Sequence, residues 1–368
     1  MAAVVTAGLV VSGAAAAPAA TPTPAQAAAA AYARMTTAQR IGQLFMVDAP
    51  ATGASSAGLS LLARYRVGNV ILLGASSAGT SGVAAVVQPL RRTTTQAGVT
   101  PYLAVDQEGG MVQHLTGRGF STIPTALRQG RLATTTLRAD WRTWATQLHR
   151  AGINLDLAPV ADVVPASVGT ANQPIGRYYR EYGYTTSAVS PHVVAVVHGI
   201  ADAGLSSTVK HFPGLGRASG NTDVTAGVTD PTRSTDAYLA PFKAAIAAGV
   251  PAVMVSTAIY PKIDGSTVAA FSHQIVTTML RRQLGFTGVI VSDALTAKSV
   301  SGYSYATRAV RSLDAGVDIL LLGTTSPLAS MTSAIASRMR TDAAFASVVK
   351  SAVMHVLTAK AKAGLVAG

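Results

Sequence analysis

The strongest constraint on the fold is an alternation of short apolar runs with longer segments of helical periodicity. The segments between the runs repeat apolar residues about every 3.6 positions, and several end on glycine, which is typical of helices. Eight runs are predicted to be strands: Ile41 to Val47, Asn69 to Gly74, Pro101 to Asp106, Ile153 to Pro159, Ser206 to His211, Ala252 to Thr257, Gly288 to Asp293 and Asp318 to Gly323. Near-continuous apolar strands separated by helices indicate a parallel sheet covered on both faces, and eight such units predict a closed (β/α)8 barrel of the α/β class.

Length and composition fit one such barrel. Of the 368 residues, 49% are hydrophobic and 12% are charged, which excludes a disordered chain. We predict a single domain over residues 32–368. Residues 1–31 are expected to be a secretory signal peptide and a Pro/Ala linker, with an Ala-rich tail as the alternative, because residues 2–20 are apolar and precede "TPTPAQ". Gly13 and Pro18 interrupt the stretch and disfavour a membrane anchor, so we expect a protein that is secreted or associated with the cell wall.

Cysteine content and charge narrow the classes of site and partner. The chain has no cysteine, which excludes disulfides, thiolate metal sites and a cysteine nucleophile. Lys and Arg outnumber Asp and Glu by 29 to 16, giving a net charge of +13. This excess is most simply a solvated basic face that could hold the protein loosely at an anionic cell wall. The sequence has none of the Arg-rich runs or aromatic-interleaved basic strips typical of nucleic-acid binding.

Polar side chains concentrate where the predicted strands end. The residues concerned are Asp106, Lys210, His211, Ser256, Thr257 and Asp293. The carboxyl ends of the strands of a (β/α)8 barrel converge on one mouth, where active sites form. We therefore expect these side chains to surround one site.

Two of these positions suit sugar binding. The stretch "AVDQEGG" places Asp106 and Glu108 after a strand, where a carboxylate can accept hydrogen bonds from sugar hydroxyls or, alternatively, cap the next helix. The stretch "VKHFPGLG" places Lys210 beside His211. Because neighbouring side chains on a strand point to opposite faces, both reach one ligand only if the strand ends between them.

A third position suits nucleophilic chemistry. The stretch "GFTGVIVSDAL" carries one carboxylate, Asp293, at the end of a strongly apolar strand. A carboxylate there is costly unless hydrogen bonds or a cationic ligand stabilise it. Asp293 is therefore the predicted nucleophile, and a helix N-cap is the alternative.

Together these stretches resemble glycoside hydrolase family 3, and within it the single-domain beta-N-acetylglucosaminidases. The resemblance covers roughly Met35 to Gly323 and includes "NLDLAPVADV", "NQPIGRYYREYG", "LRRQLGFTGVIVSDAL" and "DAGVDILLL" in the family's order. It implies a retaining hydrolysis in which Asp293 attacks the anomeric carbon. It further implies a set of substrate-binding residues, with Arg177 as the alternative to the arginine of "YREYG": Asp106, Arg180, Lys210 and His211.

The resemblance also exposes departures around the expected proton donor. Relatives usually read "KHFPGHG" followed by "DSH", whereas this chain has Leu215 and "NTD", so the family's catalytic His is absent. Asp223 stands in its place and is the predicted general acid, because two carboxyls roughly 5–5.5 Å apart suffice for retention. Asn221 is expected to orient the Asp223 carboxyl, and Asp230 is the second candidate. Further departures are Met111 and His114 where arginines are usual, and Thr257 in place of a His.

The predicted function is a retaining glycosidase that removes terminal beta-linked N-acetylglucosamine from cell-wall or chitin-type oligosaccharides, with no metal or organic cofactor. Two alternatives stay open: a catalytically weakened or inactive sugar-binding relative, and a beta-glucosidase or beta-xylosidase specificity. A carboxylate in place of the imidazole would repel an incoming phosphate, so hydrolysis is expected rather than phosphorolysis.

Overall fold

The computed structural model describes residues 1–8 and 21–367, so most of the predicted signal peptide lies outside the described residues. Helical structure begins earlier than predicted. The side chain of Thr23 and that of Gln26 form a capping box that starts the first helix at Pro24, within the segment expected to be a linker. Ala28 and Ala31 of this helix are fully buried.

The strands are β1 (Phe45–Pro50), β2 (Asn69–Leu73), β3 (Tyr102–Val105), β4 (Gln107–Gly109), β5 (Val112–Gln113), β6 (Leu155–Asp156), β7 (Ser206–Phe212), β8 (Ala252–Val255), β9 (Val289–Ser292) and β10 (Leu320–Leu322). All but β4 and β5 form one parallel eight-stranded sheet whose spatial order follows the chain. A parallel bridge between Val291 and Ile319 brings β9 against β10 and closes the barrel. The predicted (β/α)8 barrel is confirmed.

The helices are α1 (Pro24–Arg34), α2 (Thr37–Gln43), α3 (Ser56–Arg64), α4 (Gly79–Thr94), α5 (Ala126–Gln129), α6 (Thr134–Arg150), α7 (Thr186–Asp202), α8 (Ala240–Ala247), α9 (Pro261–Asp264), α10 (Tyr305–Ala315), α11 (Leu328–Thr341) and α12 (Ala343–Lys362). A π-helix, Gln274–Gln283, lies between β8 and β9. None of the helices in the described ranges is both long and apolar enough to cross a membrane.

One predicted strand was wrong at its start. The run from Ile41 begins in helix α2, and β1 begins only at Phe45. The cause is local, because Thr36 and Gln39 form a capping box that nucleates a helix before the apolar run. Ile41 is buried there as part of a helix face rather than as part of a strand.

The apolar core has two layers. The larger layer lies between the strands and the surrounding helices, and the smaller one fills the barrel with residues such as Met46, Val291 and Leu321. Helix α12 closes the amino-terminal end of the barrel, where Val356 joins the inner layer. Lys360 is fully buried there, and its Nζ donates to Gln43 Oε1 (2.8 Å) and to the carbonyl oxygen of Gly68 (2.9 Å).

Candidate active site

A cavity of about 470 Å³ opens at the carboxyl ends of the barrel strands. It is lined by the six residues predicted to be catalytic or substrate-binding: Asp106, Arg180, Lys210, His211, Asp223 and Asp293. The expectation that Ser256 and Thr257 also surround the site is wrong, because both are buried outside its lining. A cavity of about 610 Å³ lies at the opposite end, beside the starts of β7, β8 and β9, but no carboxylate lines it. The predicted catalytic and substrate-binding residues therefore meet at the carboxyl-terminal mouth, as in other barrels of this type.

A buried ion-pair cluster forms one wall of the cavity. Lys210 Nζ lies 2.5 Å from Asp106 Oδ1 and 2.5 Å from Glu108 Oε1. Arg180 grips the same Glu108 in a bidentate pair, with Nε to Oε2 and Nη2 to Oε1 both at 2.7 Å. Arg180 Nη1 also donates to the carbonyl oxygen of Pro174 (2.8 Å). Glu108 thus aligns the two cations while Asp106, which is more exposed, keeps one carboxylate oxygen for a ligand.

The charge balance of this cluster sets the ionisation of Glu108. Burial alone would raise the pKa of its carboxyl, but the adjacent positive charges of Arg180 and Lys210 hold that pKa well below its ordinary value. The Lys210 pKa is raised: burial would lower it, but the charges of Asp106 and Glu108 outweigh that effect. Glu108 and both cations therefore stay ionised across the physiological pH range.

His211 is held by a second buried carboxylate. Its Nδ1 lies 2.7 Å from Asp162 Oδ2, so Nε2 is the ring nitrogen left for a ligand in the cavity. Asp162 Oδ1 accepts from the backbone N–H of Leu215 (2.7 Å), which ties the ring to the start of the following loop. The sequence predicts that β7 must end between Lys210 and His211 for both side chains to reach one ligand. The strand does not end there. It runs to Phe212, with an irregular register against β8 and a cis peptide bond between the two residues, and both side chains line the cavity.

Asp293 follows the last residue of β9 and points one carboxylate oxygen at its own turn. Its backbone N–H donates to the Val255 carbonyl oxygen (2.7 Å), and the Ala294 N–H donates to Asp293 Oδ1 (2.8 Å). The helix-cap alternative is wrong, because the next α-helix, α10, begins at Tyr305 and is capped by Ser304. In the part of the chain that the structure describes, no Lys or Arg pairs with Asp293.

Asp223 lies on the long loop after β7 and shares the cavity with Asp293. The Asp223 side chain is exposed at the mouth, but the surrounding protein partly desolvates its carboxyl, and this effect, and next the negative charge of Asp293, raise its pKa. Asn221 was expected to orient this carboxyl, and that expectation is wrong: Asn221 Oδ1 accepts from the backbone N–H of Asp223 (2.9 Å) and so shapes the main chain. Asn side chains commonly form such Asx turns, in which the side-chain oxygen accepts from the backbone N–H two residues on. Here this contact takes up the Asn221 side-chain oxygen.

The two alternative residues fall outside the site. Asp230 is buried away from the cavity, and its carboxylate accepts from the backbone of Arg217 and from the backbone and hydroxyl of Thr232, so it fastens the loop rather than facing a ligand. Arg177 is exposed and donates to Gln173 Oε1. Arg180 is therefore the arginine that the fold brings to the cavity.

Three buried acids around the site were missed as site residues. Glu108, Asp156 and Asp162 are each less than 4% exposed. Asp156 accepts from the backbone N–H of Gln107 (3.1 Å), between Asp106 and Glu108, and burial raises its pKa to about 8. The available signal was a charged residue inside an apolar stretch, as in "NLDLAPVADV", because such a residue is buried only when a partner stabilises it.

The family assignment rests on the whole barrel. A model described as the glycosyl hydrolase family 3 N-terminal domain matches residues 36–359. The chain belongs to glycosyl hydrolase family 3. This match confirms the resemblance to the family that the sequence motifs predicted.

Individual relatives in family 3 agree with this assignment. The chain is 35% identical over 232 residues to a beta-hexosaminidase of Stenotrophomonas maltophilia, a match that spans 60% of this chain and 66% of the relative's length. A beta-N-acetylhexosaminidase structure from Beutenbergia cavernae superimposes with a TM-score of 0.87 at 46% identity, covering 89% of this chain and 98% of that chain. A family 3 beta-N-acetylglucosaminidase structure from a Paenibacillus species superimposes with a TM-score of 0.82 at 27% identity, covering 91% of this chain and 64% of that chain.

Proposed function

We propose that this protein is a retaining glycosidase that releases terminal beta-linked N-acetylglucosamine from cell-wall or chitin-type oligosaccharides. The family membership and the similarity to hexosaminidases support the substrate class. The observation that carries the mechanism is that Asp223 and Asp293 share one cavity with the cationic wall, and that neither carboxyl forms a salt bridge within the described ranges. Two such carboxyls are the minimum that retention requires.

In the first step, Asp293 attacks the anomeric carbon while the bond to the leaving oxygen breaks. The proton of the Asp223 carboxyl passes to that oxygen, which leaves as an alcohol. The raised pKa of Asp223 favours this direction, because the carboxyl keeps its proton at a pH where an ordinary aspartic acid is ionised.

In the second step, water attacks the glycosyl-enzyme and transfers a proton to the Asp223 carboxylate, and the bond to Asp293 breaks. Loss of the first proton has left Asp223 charged, so it now acts as a base. Two inversions at the anomeric carbon give net retention. The Asp106, Lys210, His211 and Arg180 side chains offer hydrogen bonds to the sugar, and the contacts described above hold all four in place before substrate arrives.

Carboxylate-to-amide variants test these roles. On 4-nitrophenyl N-acetyl-beta-glucosaminide, Asp293→Asn is expected to lose activity by about 10⁴-fold or more, because no nucleophile remains. Asp202→Asn, a change at an exposed ion pair on helix α7, is the matched control and should keep wild-type activity. Full activity of Asp293→Asn would refute the nucleophile, and proton NMR of the first product should show the beta anomer.

The fate of the glycosyl-enzyme distinguishes hydrolysis from phosphorolysis. Asp223 beside Asp293 places negative charge where an incoming phosphate would approach, and Coulomb repulsion disfavours that acceptor. In phosphate buffer we therefore expect free sugar as the product. A dominant sugar 1-phosphate would contradict this prediction.

We also propose that the protein works outside the cytoplasm, associated with an anionic cell wall. The support is the apolar leader in the sequence and the net charge of +13. Binding to purified cell walls should weaken as salt rises from low to physiological concentration. Binding that ignores salt would argue against an electrostatic association.

A further inference from the structure

The loop that carries Asp223 is fastened to the turn that follows Asp293. The backbone N–H of Lys298 donates to the carbonyl oxygen of Asp223 (3.1 Å), and that of Ser299 donates to the carbonyl oxygen of Thr222 (3.0 Å). Thr222 is buried at this junction. The main chain of the acid is thus bound to a turn that begins at the nucleophile.

Side chains of this turn bind it to the barrel, and one of them, Thr296, accepts at Oγ1 from the Gly323 N–H (3.1 Å). Ser299 Oγ donates to Thr257 Oγ1 at 2.9 Å, and Thr257 lies just after β8 and is buried. The other end of the turn is fixed by the Leu295 N–H, which donates to the Leu321 carbonyl oxygen (2.9 Å). The Ser299–Thr257 hydrogen bond acts directly on the segment that holds the loop, because the backbone of the same Ser299 donates to Thr222.

We propose that Ser299 and Thr257 are positioning residues for the general acid, which they hold at its distance from the nucleophile through the turn at residues 297–300. This inference rests on the proposed function. Neither hydroxyl lines the cavity, so neither is expected to touch the sugar. Their effect on the reaction is transmitted by the backbone hydrogen bonds to Thr222 and Asp223.

The inference has a signature that a general structural role lacks. Proton transfer requires the donor within hydrogen-bond reach of the leaving oxygen, and a small displacement reduces its rate steeply. A 4-nitrophenolate leaving group departs with little help from a proton donor, whereas a sugar leaving group departs only when its oxygen is protonated. Loosening the turn should therefore slow cleavage of chitobiose and spare cleavage of the aryl substrate.

The variants are Ser299→Ala and Thr257→Val, with Ser301→Ala as control, because the Ser301 hydroxyl makes no hydrogen bond among the described residues of the same turn. We expect each variant to lose about tenfold in kcat on chitobiose, as removal of one partly buried hydrogen bond implies, with a change below about twofold on the aryl substrate. The double variant should be no slower than the worse single one, since both remove the same bond. Thr257→Ser keeps the acceptor and should restore the chitobiose rate.

Four results are decisive. Equal losses on both substrates, or a loss in Thr257→Ser as large as in Thr257→Val, would overturn the positioning role while leaving the proposed function standing. An unchanged chitobiose rate in Ser299→Ala would do the same. A wild-type protein that cleaves neither substrate would overturn the proposed function and this inference with it. Thermal melting of every variant separates these outcomes from loss of the fold.

Discussion

Replacing Glu108 by Gln tests whether the cationic wall of the site depends on this one carboxylate. The side chain is 3% exposed and makes three contacts of 2.5–2.7 Å with Lys210 and Arg180. Glu108→Gln keeps the shape but removes the charge, so Lys210 and Arg180 would share the single carboxylate of Asp106. Breaking a buried ion pair in this way costs about 3–5 kcal/mol.

That free energy converts into a measurable shift in melting temperature. With an unfolding entropy of about 2.1 cal/mol/K per residue over a chain of 368 residues, we expect the midpoint to fall by about 4–6 °C. The assay is thermal unfolding followed by circular dichroism at neutral pH, with and without N-acetylglucosamine. Sugar should stabilise the wild type and have a smaller effect on the variant, because Lys210 is no longer held in place.

Asp202→Asn is the matched control for this experiment. The Arg138–Asp202 pair is also bidentate, at 2.6 and 2.8 Å, but both side chains are substantially exposed. Water replaces the lost contact there, so the midpoint should stay close to that of the wild type. If Glu108→Gln melted together with Asp202→Asn, burial of the cluster would not be what makes Glu108 important.

Three further predictions follow from the same geometry. Partial desolvation and the charge of Asp293 raise the pKa of Asp223, so kcat on chitobiose should fall as pH rises and the Asp223 carboxyl loses its proton. Asp223→Asn should lack this fall at the alkaline side of its pH profile. Burial raises the pKa of Asp156 to about 8, so the folded state keeps a proton that the unfolded chain loses near pH 4. The stability that this group contributes is therefore complete below about pH 4 and is lost as pH rises to about 8. Asp156→Asn should flatten that slope in urea unfolding across pH 5–8, and an unchanged slope would assign it to another group. A Cβ at position 216 would lie 1.9 Å from the Val163 carbonyl oxygen, so Gly216→Ala should displace the loop of Asp223 and reduce kcat on chitobiose by about tenfold or more, whereas Gly302→Ala meets open space and should not.

Most of the barrel could be predicted from the sequence because each buried strand is marked by its own run of apolar residues. Runs such as Val70–Leu73 and Val289–Val291 are apolar throughout, as is typical of strands covered on both faces. The start of β1 could not be predicted from hydrophobicity, because the capping box at Thr36 decides between helix and strand and leaves the apolar pattern unchanged.

The site was predictable only where its residues follow a strand. Asp106, Lys210 and Asp293 are marked by their position, but Asp162 becomes part of the site only through a pairing with His211 across 49 positions of sequence. The same is true of the hydroxyl pair at Thr257 and Ser299, which are 42 positions apart. Such contacts are consequences of closing the barrel: the apolar stretch around Asp162 signals that a partner must exist, but not that the partner is His211.

The closed lower end of the barrel constrains the order of events at its mouth. Val356 and the hydrogen-bonded amine of Lys360 fill the interior from the side of α12, and the inner layer above them is apolar. Water that hydrolyses the glycosyl-enzyme must then enter by the same opening through which the released sugar departs. A second saccharide at high concentration in that opening would compete with water for the glycosyl-enzyme of the proposed mechanism, so we expect transfer of the glycosyl group to sugars to rise with saccharide concentration.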